Sequence, residues 1–297
     1  MKKTTVLFSI MLLAGFACMP NTTRAAGTLA GTQPHLSAAS PAPVPAAPQA
    51  KKPQWKSRAE YDAFQAFVKE NDPQKRVKLI QDFIQKYPKS DFLANAYVAE
   101  MQTYVQMNQT DQATAAAKKA LSADSDNLYA LSYLSFTFPY TFKSTDANAS
   151  AELSQAKQHA QHGLDVLQNL QKPDGVSEQQ FEASVKPKTK RAVFNIALGF
   201  VAVQQKDYNQ AIKYLEAAAQ DQPDNVLIYS LLGESYYNQS PRQINQAIWY
   251  LAKATSLAES SNSANAPQLK KFYSQVYEAQ HGSNEGEDKV LAEAKSA

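Results

Sequence analysis

From Ser57 onward apolar residues recur at intervals of three and four, the period of an amphipathic helix, with no run of strict alternation between turn residues. Ala, Gln, Lys and Leu fill the intervening positions, while Gly and Pro are sparse and fall mostly between the periodic runs. The pattern predicts an all-α chain from residue 57 on. Upstream the pattern changes twice. Lys2 and Lys3 precede an apolar run from Val6 to Ala17, and Thr23-Arg24-Ala25 ends on a small residue, which reads as a signal peptide over 1–25. The run is shorter than the roughly 20 residues of a membrane span, and no later stretch approaches that length, so no transmembrane helix is expected. Residues 26–56 are rich in Ala, Pro, Ser, Gly and Gln, with Pro34, Pro41, Pro43, Pro45, Pro48 and Pro53. Such a stretch buries too little apolar surface to order itself and favours polyproline II. It reads as a disordered Pro/Ala linker, in which Pro34 to Pro53 would span roughly 60 Å.

The helical region also repeats itself. The clearest unit is 192–225, with Leu198-Gly199, Asp207-Tyr208, Ala211, Leu215, Ala218 and Pro223. Small Gly199, Ala211 and Ala218 let two antiparallel helices approach, Tyr208 and Leu215 fill the space between them, and Pro223 stops the second helix. In these residues the unit resembles a tetratricopeptide repeat. Gly233 lies 34 residues after Gly199, and Tyr229, Leu232, Tyr236, Ala247, Leu251 and Ala254 make 226–258 a second unit, with a two-residue insertion around Ser240-Pro241-Arg242. Residues 94–127 fit through Tyr97, Tyr104, Ala113, Ala117 and Ala120, with Met101 where glycine is usual and Ser125 where proline is. Residues 128–171 carry Leu131, Leu134 and Phe138; their second helix, with Ala156, Ala160 and Gly163, arrives nine residues late, after an insertion around 139–150. An irregular connector, 172–191, follows. Residues 57–93 form a divergent first pair in which Phe83-Ile84-Gln85-Lys86-Tyr87-Pro88-Lys89-Ser90 is similar to a pattern in periplasmic repeat proteins, among them outer-membrane assembly lipoproteins and the Tol-Pal coordinators. The resemblance implies a right-handed superhelical solenoid of helix-turn-helix pairs. Its open end needs a cap. Residues 259–297 provide one through Pro267 to Ala279, which offers Leu269, Phe272, Tyr273, Val276 and Tyr277, and a short last helix within 287–295.

Charge and cysteine content narrow the picture. The leader holds three of the 30 basic residues and no acid, so removing it leaves 27 basic against 27 acidic residues. The sequence pI of 8.7 therefore gives no reason to expect nucleic acid. Cys18 is the one cysteine. Either it leaves with the leader, or, since Leu13 to Cys18 loosely resembles a bacterial lipoprotein box, it becomes a lipidated mature N-terminus and tethers the chain to a membrane. Export without other thiols excludes structural disulfides and cysteine catalysis.

The resemblance also implies where a partner would lie. In tetratricopeptide proteins, positions 2, 5, 9 and 12 of each first helix generally line the concave groove. Carried over, these are Asn95, Val98, Gln102 and Val105; Tyr129, Ser132 and Phe136; Val193, Ile196, Phe200 and Val203; and Leu227, Ser230, Glu234 and Tyr237. The middle of this set is apolar and aromatic, which suits burial of a partner's side chains. Val98, Ser132, Ile196 and Ser230 stand where the lysine of a carboxylate clamp would, which argues against chaperone tails as the ligand. An alternative is that the connector at 172–190 covers Val193, Ile196 and Phe200.

Chemistry is otherwise thin. No Gly-x-Gly-x-x-Gly, Walker loop, Gly-x-Ser-x-Gly or His-Glu-x-x-His occurs. His159 and His162 share a helix face but lack further metal ligands, and Lys186, Lys188, Lys190 and Arg191 read as a solvated linker. No catalytic residue, cofactor or metal is expected. The expected function is a non-enzymatic scaffold in the cell envelope, periplasmic or outer-membrane-associated, that binds a protein or peptide. Two other classes stay open: an accessory subunit or enzyme with a site in the insertions at 139–150 and 172–190, and a self-associating structural spacer.

Overall fold

The structure, a computed structural model, describes residues 53–172 and 174–296. The expected leader, Cys18, His35 and all of the expected linker except 53–56 lie outside the described residues. Five helix pairs follow one another: α1 (Arg58–Lys69) with α2 (Pro73–Lys86), α3 (Leu93–Gln106) with α4 (Thr110–Ala123), and α5 (Leu128–Thr141) with α6 (Ala149–Asn169). A short α7 (Glu178–Val185) leads to α8 (Pro187–Gln204) with α9 (Tyr208–Asp221), then α10 (Val226–Asn238) with α11 (Ile244–Ser260). The pair α12 (Ala266–His281) and α13 (Glu287–Ser296) ends the stack against α11. Among the described residues there is no strand, as the apolar period predicts.

Local chemistry sets the helix starts. Ser57, Asp72, Asn127 and Asp207 each accept the backbone N–H three residues on, and Asn225 accepts that of Leu227, satisfying amides that a helix start leaves open. Ser177 and Gln180 form a reciprocal capping box on α7. Lys186 lies in the left-handed region (φ 50°) between α7 and α8; Pro187 after it disfavours continuing α7 as a right-handed helix and itself suits the first turn of α8. The expected irregular connector therefore contains a helix, and α8 begins five residues before the expected unit boundary at 192.

Packing runs along the chain rather than around one centre. Phe67, Ile80 and Phe83 of α1 and α2 cluster with Ala96 and Ala99 of α3. Met101, Ala117 and Ala120 of α3 and α4 cluster with Ala130 and Leu134 of α5. Leu131 and Ala160 of α5 and α6 join Phe194 and Leu198 of α8, and Leu215 and Ala218 of α9 join Ile228 and Leu232 of α10. Each pair buries its apolar face only against the next, which is the physical basis of a solenoid. At the front, Trp55 stacks on Phe92 (3.6 Å between ring centres, 12°) and meets Tyr61 and Phe64 edge-on, so the packed unit begins two residues before the boundary expected at 57.

The glycines mark the closest approaches. A Cβ on Gly199 would stand 2.6 Å from Leu215 Cγ, and one on Gly233 2.6 Å from Leu251 Cγ. In α3 and α4 the volumes are exchanged: buried Met101 takes the glycine place and Ala117 the leucine place. In α5 and α6 the same places hold Ser135 and Ala160, while Gly163 gives its space to the Phe194 ring of α8, which a Cβ there would overlap.

Candidate protein-docking face

The structure divides the expected groove residues into three groups. Val98, Ile196 and Val203 are buried in the inter-pair clusters, so they hold neighbouring helices together and offer no free surface. Asn95, Gln102, Ser132, Val193, Phe200, Leu227, Ser230, Glu234 and Tyr237 are half-buried. Only Val105 (39% exposed), Tyr129 (39%) and Phe136 (37%) are open large apolar residues. Sequence position does not separate these groups, because the same helical place is covered or open according to what the neighbouring pair brings to it.

The coverings are specific. Phe200 is met edge-on by Phe138 and by Phe142, just past α5, at 5.8 and 5.9 Å. The end of α5 thus covers that residue. Tyr237 lies under the Arg242 guanidinium, 4.9 Å from its ring centre, and against Phe272 of α12. Beside it Glu234 is a half-buried carboxylate whose pKa burial pushes up, with no cation in ion-pair range among the described residues.

α5 is different. Tyr129, Ser132, Phe136 and Tyr140 succeed one another at helical spacing on one face, and Tyr140, 65% exposed, packs its ring 5.8 Å from that of Phe136. Tyr140 is absent from the expected set, although its place four residues after Phe136 is a signal that could have found it. Lys190 is the other surprise. Of the four-residue basic cluster, only Lys186 and Lys188 are plainly solvated cations. Arg191 forms a bidentate pair with Asp221 (2.7 and 2.5 Å) whose carboxylate is nearly buried, tying the start of α8 to the end of α9 and raising the Arg191 pKa. Lys190 is buried, donates to the Val185 carbonyl, and carries its ammonium 5.0 Å from the centre of the Tyr129 ring. Burial first, and the neighbouring Lys186 second, bring its pKa down to about 8.

Two cavities lie elsewhere. One of about 260 Å³ between α4, α5 and α6 is lined by Leu121, Ser125, Leu131, Gln158, His159 and His162. His162 Nε2 lies 2.8 Å from Asp126 Oδ1, and burial together with Lys118 lowers the pKa of His159. Among the described residues no three His, Cys, Asp or Glu side chains converge as a metal site would require. The other, of about 240 Å³, lies between the start of α1 and the segment after α2, where buried Glu60 takes the Lys56 amide. No helix among the described residues is long and apolar enough to cross a membrane.

Comparison with known proteins bears on the repeats. The family model described as tetratricopeptide repeat matches residues 94–127, and that described as TPR repeat matches 199–240. No curated protein matches the chain in sequence. Among solved structures, the chain is similar to TTC0263, a thermophilic TPR protein of Thermus thermophilus, at 16% identity over 73% of this chain and 98% of that one, with a TM-score of 0.40. It is similar to PilW, a widely conserved type IV pilus biogenesis factor, at 15% identity over 79% and 99%, with a TM-score of 0.41. It is likewise similar to pilF of Pseudomonas aeruginosa, at 15% identity over 80% and 100%, with a TM-score of 0.41.

Proposed function

The chain is a tetratricopeptide-repeat protein, and from that premise we propose that it is a non-enzymatic scaffold of the cell envelope that docks a protein segment along its first helices. The observation that carries this reading is the concentration of open apolar surface: of the six exposed large hydrophobic residues among those described, Val105, Tyr129, Phe136 and Tyr140 lie on α3 and α5, both first helices of their pairs. Tyr129, Phe136 and Tyr140 follow one another along one face of α5, and exposed large apolar groups in a row, rather than scattered, are the mark of an interaction surface. The half-buried rim of Gln102, Ser132 and Ser230 supplies hydrogen-bonding groups for a partner's backbone. Export to the periplasm or outer membrane is part of the proposal and rests on the leader pattern at 1–25; osmotic-shock fractionation that leaves the chain with cytoplasmic markers would remove it.

The test of docking places a photo-reactive phenylalanine analogue at position 136 and, as a control, at Trp249, an exposed aromatic residue of a second helix. Ultraviolet irradiation of living cells should give a discrete cross-linked product from 136 and none from 249. Equal products from both positions, or none from either, would end this reading. Charged substitutions at Ile196 are a poor probe, since that side chain is buried and would be lost to misfolding.

A further inference from the structure

α5 is rich in apolar residues on all sides, yet its neighbours cover only part of it. The row Tyr129, Phe136, Tyr140 stays open. At the Tyr129 end of that row stands Lys190, 8% exposed, one N–H given to the Val185 carbonyl and its ammonium facing the Tyr129 ring. Among the described residues no carboxylate lies within ion-pair distance of it. A buried ammonium without a counter-charge is costly, and a carboxylate brought by another molecule is the group that offsets that cost. Exposed Lys186 and Lys188 add positive charge at the same end, whereas Arg191 is already satisfied by Asp221. Lys190 precedes Val193, the first expected groove position on α8, by three residues, so it is not the lysine of a carboxylate clamp.

We propose that the segment docked here is acidic and bears one large apolar side chain, which packs on Phe136 and Tyr140 while a carboxylate of the same segment meets Lys190 beside Tyr129. The inference rests on α5 being a docking face and adds the chemistry of the partner. From Tyr129 to midway between Phe136 and Tyr140 is about 13 Å along the helix at 1.5 Å per residue. An extended segment covers that in about four residues, which sets the spacing between its acid and its apolar anchor.

The test is selection of a random twelve-residue peptide library, displayed on phage, against the full chain and its Lys190→Met and Phe136→Ser variants, with binding of synthesised winners measured by fluorescence polarisation. Lys190→Met keeps the buried stem and removes only the charge; thermal melts of both variants check that they fold. The expected winners pair Asp or Glu with Phe, Trp, Tyr or Leu about four residues away, and bind either variant at least roughly tenfold more weakly. Winners that depend on Phe136 but carry no acid and ignore Lys190 would overturn the acidic partner and leave the docking face standing. Basic winners would do the same. Enrichment that neither variant changes, or none at all, would overturn both readings. Self-association seen by sedimentation and lost in Phe136→Ser would give the face to a second copy of the chain and overturn the proposal.

Discussion

In α8 to α11 each first helix carries a glycine beneath a leucine of its second helix, Gly199 under Leu215 and Gly233 under Leu251, whereas in α5 and α6 the matching places hold Ser135 and Ala160. The first arrangement interlocks a pair through its own residues. The second sets small against small, and α5 and α6 touch each other less than α8 and α9 do. The gap is closed from outside the pair, by Phe194 of α8 seated over Gly163. In α3 and α4 Met101 and Ala117 reverse the order of large and small at the same two places, and both stay buried in one cluster. The less interlocked pair is also the one whose first helix leaves aromatic rings open, so the place where the repeat is weakest in self-packing is the place proposed above for a partner.

The comparison breaks most sharply at Leu215. Leu215→Ala should cost about 3 kcal/mol through the cavity it leaves, and adding Gly199→Met, which copies the Met101 and Ala117 exchange, should recover more than half of this in urea unfolding. A double variant no better than Leu215→Ala would mean that the pairs are not volume-equivalent. Next, Gly163→Ala should cost about 2 kcal/mol, because its Cβ overlaps a Phe194 ring that is fully buried and cannot withdraw. Phe194→Ile, taken from the matching Ile228, should be milder in the Gly163→Ala background than in the parent; additive costs would show that the two residues do not press on each other.

A smaller effect, of opposite sign, is expected at Lys190. Its folded pKa of about 8 lies below the ordinary 10.5, so its charge is disfavoured in the folded state below pH 8. Between pH 8 and 10.5 the unfolded chain holds more protons at this group, and its contribution to stability rises with pH. Lys190→Met should therefore stabilise the protein at pH 7 by about 1 kcal/mol after allowance for solvent screening, and the advantage should vanish by pH 10.5. An advantage unchanged with pH would assign it to packing instead. Tyr273 and Tyr236, whose pKa values are raised chiefly by burial, act above their ordinary range and remain the same in both proteins. Smallest of all, Tyr140→Ser should change the melting free energy by less than about 0.5 kcal/mol, as an open side chain does, while weakening any partner held on α5.

Helices, pairs and repeat length were all legible in the amino-acid order, because each follows from contacts between residues close in sequence. The three-and-four period, the capping Ser57, Asp72 and Asp207, and the Gly199 and Leu215 spacing act within one pair and leave their mark within 34 residues. Which of the expected groove positions are open was decided only when pairs stacked. Val98, Ile196 and Val203 disappear between helices, Phe200 is covered by Phe138 and Phe142 some sixty residues upstream, and Lys190 finds Tyr129 at a similar remove. Local sequence sets which way a side chain points from its own helix, but burial depends on the surface that a distant segment brings to it, and no periodic pattern encodes that surface.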